Sequence, residues 1–403
     1  MAIIVQKYGG SSVADSEKIR TVARRIVRTV QEGQKVVAVV SAQGKTTDAL
    51  IEQARTISKD PPKREMDMLL ATGEQISISL LAMAIDALGY PVISLTGAQG
   101  GIVTDTQYTK ARIRAVDSAR IKKELDKGCI VIVAGFQGIT SSNDITTLGR
   151  GGSDTTAVAV AAALGAEVCE IYTDVEGVYT ANPRMVPTAR KISQVDYCEM
   201  LELASLGAII LQPRAVEVAA AHGVPIHVRS SFSQETGTII KEVKSVERVI
   251  SVTGVASDDN CVKITLTDVP NDVNVLSYVF SALAEEAINV DMIVQTGTAG
   301  RVTALTFTVA REDREAALRT VAKIKGDQQW QVLCDEEVAK VSIVGAGMMT
   351  NPGVAARMFS ALNGKNIPVF VVSTSEIKVS CLVPRSAYQE AVRACHDEFS
   401  LGE

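Results

Sequence analysis

Over the first 170 positions, apolar residues come in short unbroken runs separated by amphipathic stretches. The runs are AIIVQ (2–6), KVVAVVS (35–41), PVISL (91–95), CIVIVAGF (129–136) and CEIYT (169–173). Rich in Val and Ile and lacking strict alternation, they predict strands buried on both faces. Between them the apolar spacing shifts to three and four. One helix is predicted from Asp15 through KIRTVARRIVRTVQ to a stop near Gly33. A second covers REMDMLLATGEQISISLLAMAIDALG, and a third covers TTAVAVAAALG and ends at Gly165. Strand alternating with helix predicts an α/β domain with a largely parallel sheet flanked by helices. Such sheets bind ligands at the loops beyond the carboxyl ends of their strands.

The last 150 residues follow another plan, because they repeat. KITLTDVPNDVNVLSYVFSALAEEAINVDMIV (263–294) aligns with KVSIVGAGMMTNPGVAARMFSALNGKNIPVFVV (340–372), with FSAL at 280–283 and again at 359–362. Each copy reads strand, loop, helix, strand, followed by a second strand and helix. That is an α+β unit of the βαββαβ type with its helices on one face. The predicted division is 1–245, 246–335 and 336–403. The opening strand of the middle region is free to join the last one, and ETGTIIKEVKSVE (235–247) is the expected hinge.

Composition narrows the partners. The chain has 403 residues and a net charge of −5, and 46% of it is hydrophobic. This argues against a basic nucleic-acid-binding surface but leaves room for a local phosphate pocket. Seven cysteines lack any C-x-x-C pair, and three histidines lack metal-ligand spacing. Buried free thiols in a reducing compartment are expected, hence a cytoplasmic protein without a structural zinc. No secretory leader is expected at MAIIVQKYGG, and no membrane partner, since no apolar run reaches 18 residues.

Candidate chemistry sits at four predicted strand ends. LGRGGSDTT (148–156) brackets Arg150 with glycines before a helix, with Ser153, Asp154 and Thr155 as N-cap types. Helix-start amides favour an anion, and an arginine can clamp a carboxylate. KYGGSS places Lys7 before Gly9, Gly10 and Ser11. VVSAQGKTTD (39–48) and YTDVEGVYTANPR (172–184) again join glycine, hydroxyl and charge. Singly, each fits an ordinary turn; together they point to a site for two anions.

The segments KYGGSSVAD, VVSAQGKTTD, LLATGEQIS, IVAGFQG, TTLGRGGSDTTA, EIYTDVEGVYTANPR and VRSSFS resemble, in this order, the aspartate kinases of the amino-acid-kinase superfamily. The C-terminal repeats resemble that family's tandem ACT domains. The resemblance implies transfer of the ATP γ-phosphoryl group to the β-carboxylate of L-aspartate, with Mg²⁺ carried by the ATP phosphates and no protein metal site. An aspartate carboxylate is ionised at neutral pH, so no general base is needed. That agrees with the lack of any Ser-His or Cys-His pairing.

By motif, the resemblance implies that Lys7 and Asp154 are catalytic. Ser41, Thr47, Glu74, Arg150 and Ser153 would bind aspartate, with Glu74 on its α-ammonium and Arg150 on its α-carboxylate. Lys7, Gly9, Gly10, Ser11, Thr173, Asp174, Tyr179 and Arg184 would bind nucleotide. Gln43, Ile209 and Gln212 depart from the family's usual Met, basic residue and His. The repeats imply inhibition by lysine, threonine or both, through Val273, Asn274, Val275, Gln295, Asn366, Ile367, Ser373, Thr374, Ser375 and Glu376. In the first repeat VPNDVN (269–274) stands where the family has a pattern near VPDRPG. A homodimer through the ACT regions is expected, or a heterotetramer with a short C-terminal subunit. A kinase for glutamate or acetylglutamate and a catalytically silent amino-acid sensor are the competing classes.

Overall fold

A computed structural model describes residues 1–207, 210–243, 251–269, 273–297, 303–325 and 330–403. Ile209, residues 244–247 of the expected hinge and 270–272 of the first repeat's loop lie outside them. The chain forms two compact units. The first holds Met1–Val178, Lys191–Ser205 and Ile209–Ser245; the second holds Tyr179–Arg190, Leu206–Ala208 and Val246–Glu403. The division therefore does not follow the chain simply. A segment within the fourth strand-end motif and just after it belongs to the second unit.

The first unit is built on eight strands in the order Gln194–Val195, Thr238–Ile240, Ile226–Ser230, Val168–Thr173, Ile3–Tyr8, Lys35–Val40, Ile130–Ala134 and Val92–Leu95. Every pairing is parallel except Thr238–Ile240 against Ile226–Ser230. Thr238–Ile240 falls within the expected hinge. Its Ile240 is fully buried and the strand pairs on both sides, so this part of the segment is core.

Helix Ser16–Gln31 buries Ile19, Val22, Ala23, Ile26 and Val27, a stripe at helical spacing. Asp15 caps it, accepting from the Glu17 and Lys18 amides at 3.1 and 2.9 Å. Leu81 and Ile85 of helix Lys63–Asp86 pack on the same core as Val36, Ala38 and Ile132 of the sheet. Each fully buried side chain of this size contributes roughly 1.5–3 kcal/mol. By length and composition Lys63–Asp86 could cross a membrane, which a search for unbroken apolar runs overlooks. It buries Asp67 and Glu74 along with that apolar face, as a core helix does. Helix Gly152–Leu164 packs against strand Ile3–Tyr8 and helix Pro213–His222 and is buried on nearly every side, with small Ala157, Ala159 and Ala161 among its buried residues.

The second unit contains two four-stranded sheets with the same strand order. One runs Gln331–Asp335, Cys261–Val269, Thr303–Ala310, Ile293–Thr296; the other runs Gly254–Asp258, Val338–Val344, Lys378–Pro384, Val371–Thr374. Gly254–Asp258 pairs antiparallel with Val338–Val344, so the opening strand of the middle region completes the sheet of the last. Each sheet packs its own helices, Val273–Glu285 with Arg314–Lys325 and Val354–Gly364 with Tyr388–Glu398. Cys261, Met292, Val338 and Leu382 join the two copies. Buried Lys340 of one copy is ion-paired with Asp291 of the other. None of the seven cysteines is in a disulfide; Cys198 and Cys334 are exposed, against the expectation that the thiols are buried.

Candidate active site

Strand Ile3–Tyr8 has Lys35–Val40 on one side and Val168–Thr173 on the other, both parallel to it. The chain winds away from it in two directions, which opens a crevice beyond the carboxyl ends of these strands. Lys7 is the penultimate residue of the central strand. Its Nζ lies 2.6 Å from Asp154 Oδ1, and both side chains are nearly buried. At this distance, and with little water between them, Coulomb attraction holds the ammonium against the carboxylate, although Asp154 Oδ1 lacks a well-aligned hydrogen bond among the described residues. Asp154 comes from the first turn of helix Gly152–Leu164, whose N-cap is Gly151 in the left-handed region. The expectation that Ser153, Asp154 or Thr155 caps this helix is therefore corrected. All three lie inside it and are buried, which aims Asp154 at the strand rather than at its own backbone.

The glycines of the loop are explained by φ and by space. Gly149 and Gly151 have φ of +79° and +66°. A Cβ on Gly151 would stand 1.6 Å from Gln212 Cγ. A Cβ on Gly135, just past strand Ile130–Ala134, would strike Ser153 Oγ at 2.7 Å, so the strand end leaves room for the helix only without a side chain. At the neighbouring strand end a Cβ on Gly10 would meet Ala42 O at 2.6 Å, and the Gly44 amide donates to Gly10 O. Gln43 donates to Val13 O at 2.9 Å and braces the same two loops.

Glu74 approaches from the helix. It is 2% exposed, and its Oε1 accepts the Ala42 amide at 3.0 Å. Oε2 is buried and has no partner among the described residues. Burial raises its pKa to about 7, partly offset by the Ala42 hydrogen bond. An ionisable oxygen held dry and unpaired at a strand-end crevice is a place for a ligand's cationic donor.

Lys7, Gly9, Gly10, Ser41, Glu74, Ser153 and Asp154 thus converge on one edge of the sheet. The Gly9 amide reaches Tyr172 O at 3.4 Å, which brings the Thr173 strand end beside the Gly9–Gly10 loop. Thr173 donates to the Asp174 carboxylate at 3.1 Å. Ser11 is exposed in the turn Gly10–Val13, and Thr47 lies in the first turn of helix Thr46–Ile57. Arg150 is exposed on the glycine loop and makes no ion pair among the described residues. Tyr179 and Arg184 lie in the segment Tyr179–Arg190, which clusters with the second unit. Ala181 and Val186 of that segment are buried in the second unit's core, and the Thr180 hydroxyl meets His396 Nε2 at 3.0 Å.

Asp67 was not anticipated. It is fully buried on the Glu74 helix, seven residues earlier. Its carboxylate accepts the Thr109 amide, the Thr147 amide at 3.0 Å and the Thr147 hydroxyl at 2.6 Å. Burial pushes its pKa up and these donors pull it back. Through Thr147 it anchors the strand that leads into the Arg150 loop. Two carboxylates seven apart on an apolar helix share a face, which was the available signal. Ser12 Oγ and Ser231 Oγ, 2.5 Å apart, were also missed; they tie the lysine loop to the end of strand Ile226–Ser230. Among the described residues no group of three or more His, Cys, Asp or Glu side chains could enclose a metal ion.

Among the effector-region residues, Val273, Asn274 and Val275 open helix Val273–Glu285, and Gln295 is exposed on Ile293–Thr296. Asn366 has φ of +53° before buried Ile367. Ser373 and Thr374 end strand Val371–Thr374, and Ser375 and Glu376 follow it.

The amino acid kinase family model matches residues 2–230, and an ACT domain model matches 341–399. An aspartokinase of Geobacillus stearothermophilus is 50% identical over all of this chain and 98% of its own length. Aspartokinase 2 of Bacillus subtilis is 50% identical over all of this chain and 99% of its own. A crystal structure of the aspartate kinase from Synechocystis is 42% identical, covering 99% of this chain and 69% of that one, with a TM-score of 0.57. Escherichia coli aspartokinase III, solved with aspartate and ADP, shares the fold at a TM-score of 0.81 and 23% identity, covering 98% of this chain and 99% of its own. The chain belongs to the amino acid kinase family and, within it, to the aspartokinases.

Proposed function

We propose that the chain catalyses attack of the L-aspartate β-carboxylate on the γ-phosphorus of ATP, forming the O–P bond of 4-phospho-L-aspartate and releasing ADP. The carrying observation is the Lys7–Asp154 ion pair at the strand ends, together with a buried Glu74 at the neighbouring strand end whose second oxygen has no partner among the described residues. Lys7 neutralises charge on the transferred group, and Asp154 fixes its ammonium. Glu74 takes the α-ammonium of aspartate. Arg150, free of competing carboxylates among the described residues, takes the α-carboxylate by two hydrogen bonds. Ser41, Thr47 and Ser153 complete the aspartate side. Gly9, Gly10, Ser11, Thr173 and Asp174 line the phosphate and nucleotide side, to which the motif also assigns Tyr179 and Arg184.

No metal cage is present among the described residues. A hard divalent cation such as Mg²⁺, carried by the ATP phosphate oxygens and water, would neutralise charge on the transferred group. The product feeds biosynthesis of aspartate-derived amino acids in the cytoplasm. Lysine, threonine or both inhibit through the paired repeats, binding one conformation better than another. The chain assembles as a homodimer through these repeats, or with a short C-terminal subunit.

A coupled ADP-release assay tests this reading. ADP release is expected with aspartate and not with glutamate, and the rate is expected to fall on titration with lysine, threonine or their mixture. Lys7→Ala should lower kcat by about 10²–10³, the loss of one preorganised donor. Equal turnover of glutamate, or a Lys7→Ala enzyme of normal kcat, refutes the assignment.

A further inference from the structure

A charged cavity lies in the first unit, beside helix Ser16–Gln31. It has a volume of about 410 Å³ and is lined by Arg24, Arg25 and Arg28 of the helix and by Arg229 and Tyr172 of the sheet. None of these residues has a role in the phosphoryl transfer described above. Four guanidiniums face two carboxylates. Arg28 pairs with Glu32 at 3.3 Å, and Arg229 pairs with Glu170 at 3.0 Å. Arg25 donates to the carbonyls of Ser230 and Ser231 at 3.2 and 3.1 Å, and Arg24 makes no ion pair among the described residues. Among the described residues, Arg24 and Arg25 have no carboxylate partner at this cavity, on a chain whose net charge is −5.

The geometry selects a class of ligand. Arg24 and Arg28 are one helical turn apart and project to the same side, and Arg229 comes from the opposite wall. Planar guanidiniums spaced around a pocket match the oxygens of phosphate better than a lone carboxylate. Tyr172, the aromatic ring lining this cavity among the described residues, is closed to a base. Tyr172 stacks on Tyr8 at 4.9 Å, carries the Arg25 guanidinium at 4.5 Å and is 3% exposed.

We propose that this groove binds a compact oligophosphate, recognised by Arg24, Arg28 and Arg229 and distinct from the nucleotide held at the Lys7 edge. Arg25 stands at its floor as a positioning residue. It holds the carbonyl of Ser231, whose hydroxyl meets Ser12 in the lysine loop.

Inorganic pyrophosphate is the probe, measured by isothermal titration calorimetry on the full chain. The Lys7→Ala variant removes the phosphate contact of the active site. The wild-type chain saturated with a non-hydrolysable ATP analogue blocks that site without a mutation. Pyrophosphate is expected to bind in both, and in both to bind at least about tenfold more weakly once Arg24→Gln and Arg28→Gln are introduced. These two side chains lie on the outer face of the helix, so the substitutions leave the core intact. Raising the salt should weaken the unsubstituted groove more than the doubly substituted one. Absence of binding in both backgrounds overturns the proposal, as does affinity indifferent to the two arginines. Citrate bound as tightly as pyrophosphate overturns the assignment to phosphate. A change of sedimentation coefficient with unchanged pyrophosphate affinity on introducing the two substitutions overturns it as well, and assigns the groove to a protein interface.

Discussion

Glu74→Gln separates charge from shape at the centre of the site. The amide keeps an oxygen for the Ala42 N–H and fills the same volume, but it never ionises. In the wild-type chain burial moves the Glu74 pKa from an ordinary 4.5 to about 7. A carboxyl whose folded pKa is raised binds more protons folded than unfolded between those two values, so its contribution to stability falls as pH rises through that window. Integrating the two titrations from pH 5 to pH 8 gives a loss of about 2.5 kcal/mol, which the Glu74→Gln variant does not suffer. Any pH-independent cost of the buried amide cancels when the two pH values are compared. Denaturant unfolding of both proteins, followed by far-UV circular dichroism, should therefore show the variant gaining about 2.5 kcal/mol on wild type between pH 5 and pH 8. Kinetics supply the second arm. Glu74 must be ionised to receive the α-ammonium, so wild-type kcat/KM for aspartate should fall as pH drops below about 7. The variant should lose that acid limb and show a KM raised about tenfold or more, with kcat much less affected. Parallel stability profiles for the two proteins, or an acid limb unchanged in Glu74→Gln, would refute the placement of this charge.

Asp67→Asn puts amide hydrogens opposite donors from Thr109 and Thr147, so one of the present bonds becomes a clash of donors. A cost of about 1–3 kcal/mol is expected in thermal unfolding, together with a raised KM for aspartate through the displaced Arg150 loop. A variant with wild-type KM would show that this anchor does not position the loop. Gly151→Ala combines an unfavourable φ of +66° with a Cβ 1.6 Å from Gln212 Cγ. It should cost about 1–2 kcal/mol for the backbone alone, plus a steric part that Gln212→Ala relieves. A double-mutant cycle that comes out additive would rule out the contact.

What the sequence makes legible follows from the range over which each feature is encoded. The strands around Lys7 and helix Ser16–Gln31 are written in local periodicity; the helix expected from Asp15 begins one residue later, with Asp15 as its cap. The converging loops are legible for a chemical reason. An acceptor that needs no proton removed calls only for lysine, glycine, hydroxyl and carboxylate at strand ends, and those types stand out against apolar strands. Features that depend on a distant partner are not written locally. Asp67 looks like a surface acid in helix Lys63–Asp86 until Thr109 and Thr147, 42 and 80 residues away, close over it. Thr238–Ile240 looks like linker because three residues are too few to show a period, and its register against Val228, His227 and Ile226 on one side and Gln194 and Val195 on the other makes it a strand. The N-cap of helix Gly152–Leu164 misleads for a related reason. Ser153, Asp154 and Thr155 are good caps by type, but capping would turn Asp154 onto its own backbone and leave the Lys7 ammonium, 2.6 Å away in the structure, without its counter-ion. The residue that local preference assigns to the helix is taken by the site, and Gly151 can cap in its place because glycine tolerates the left-handed turn without strain.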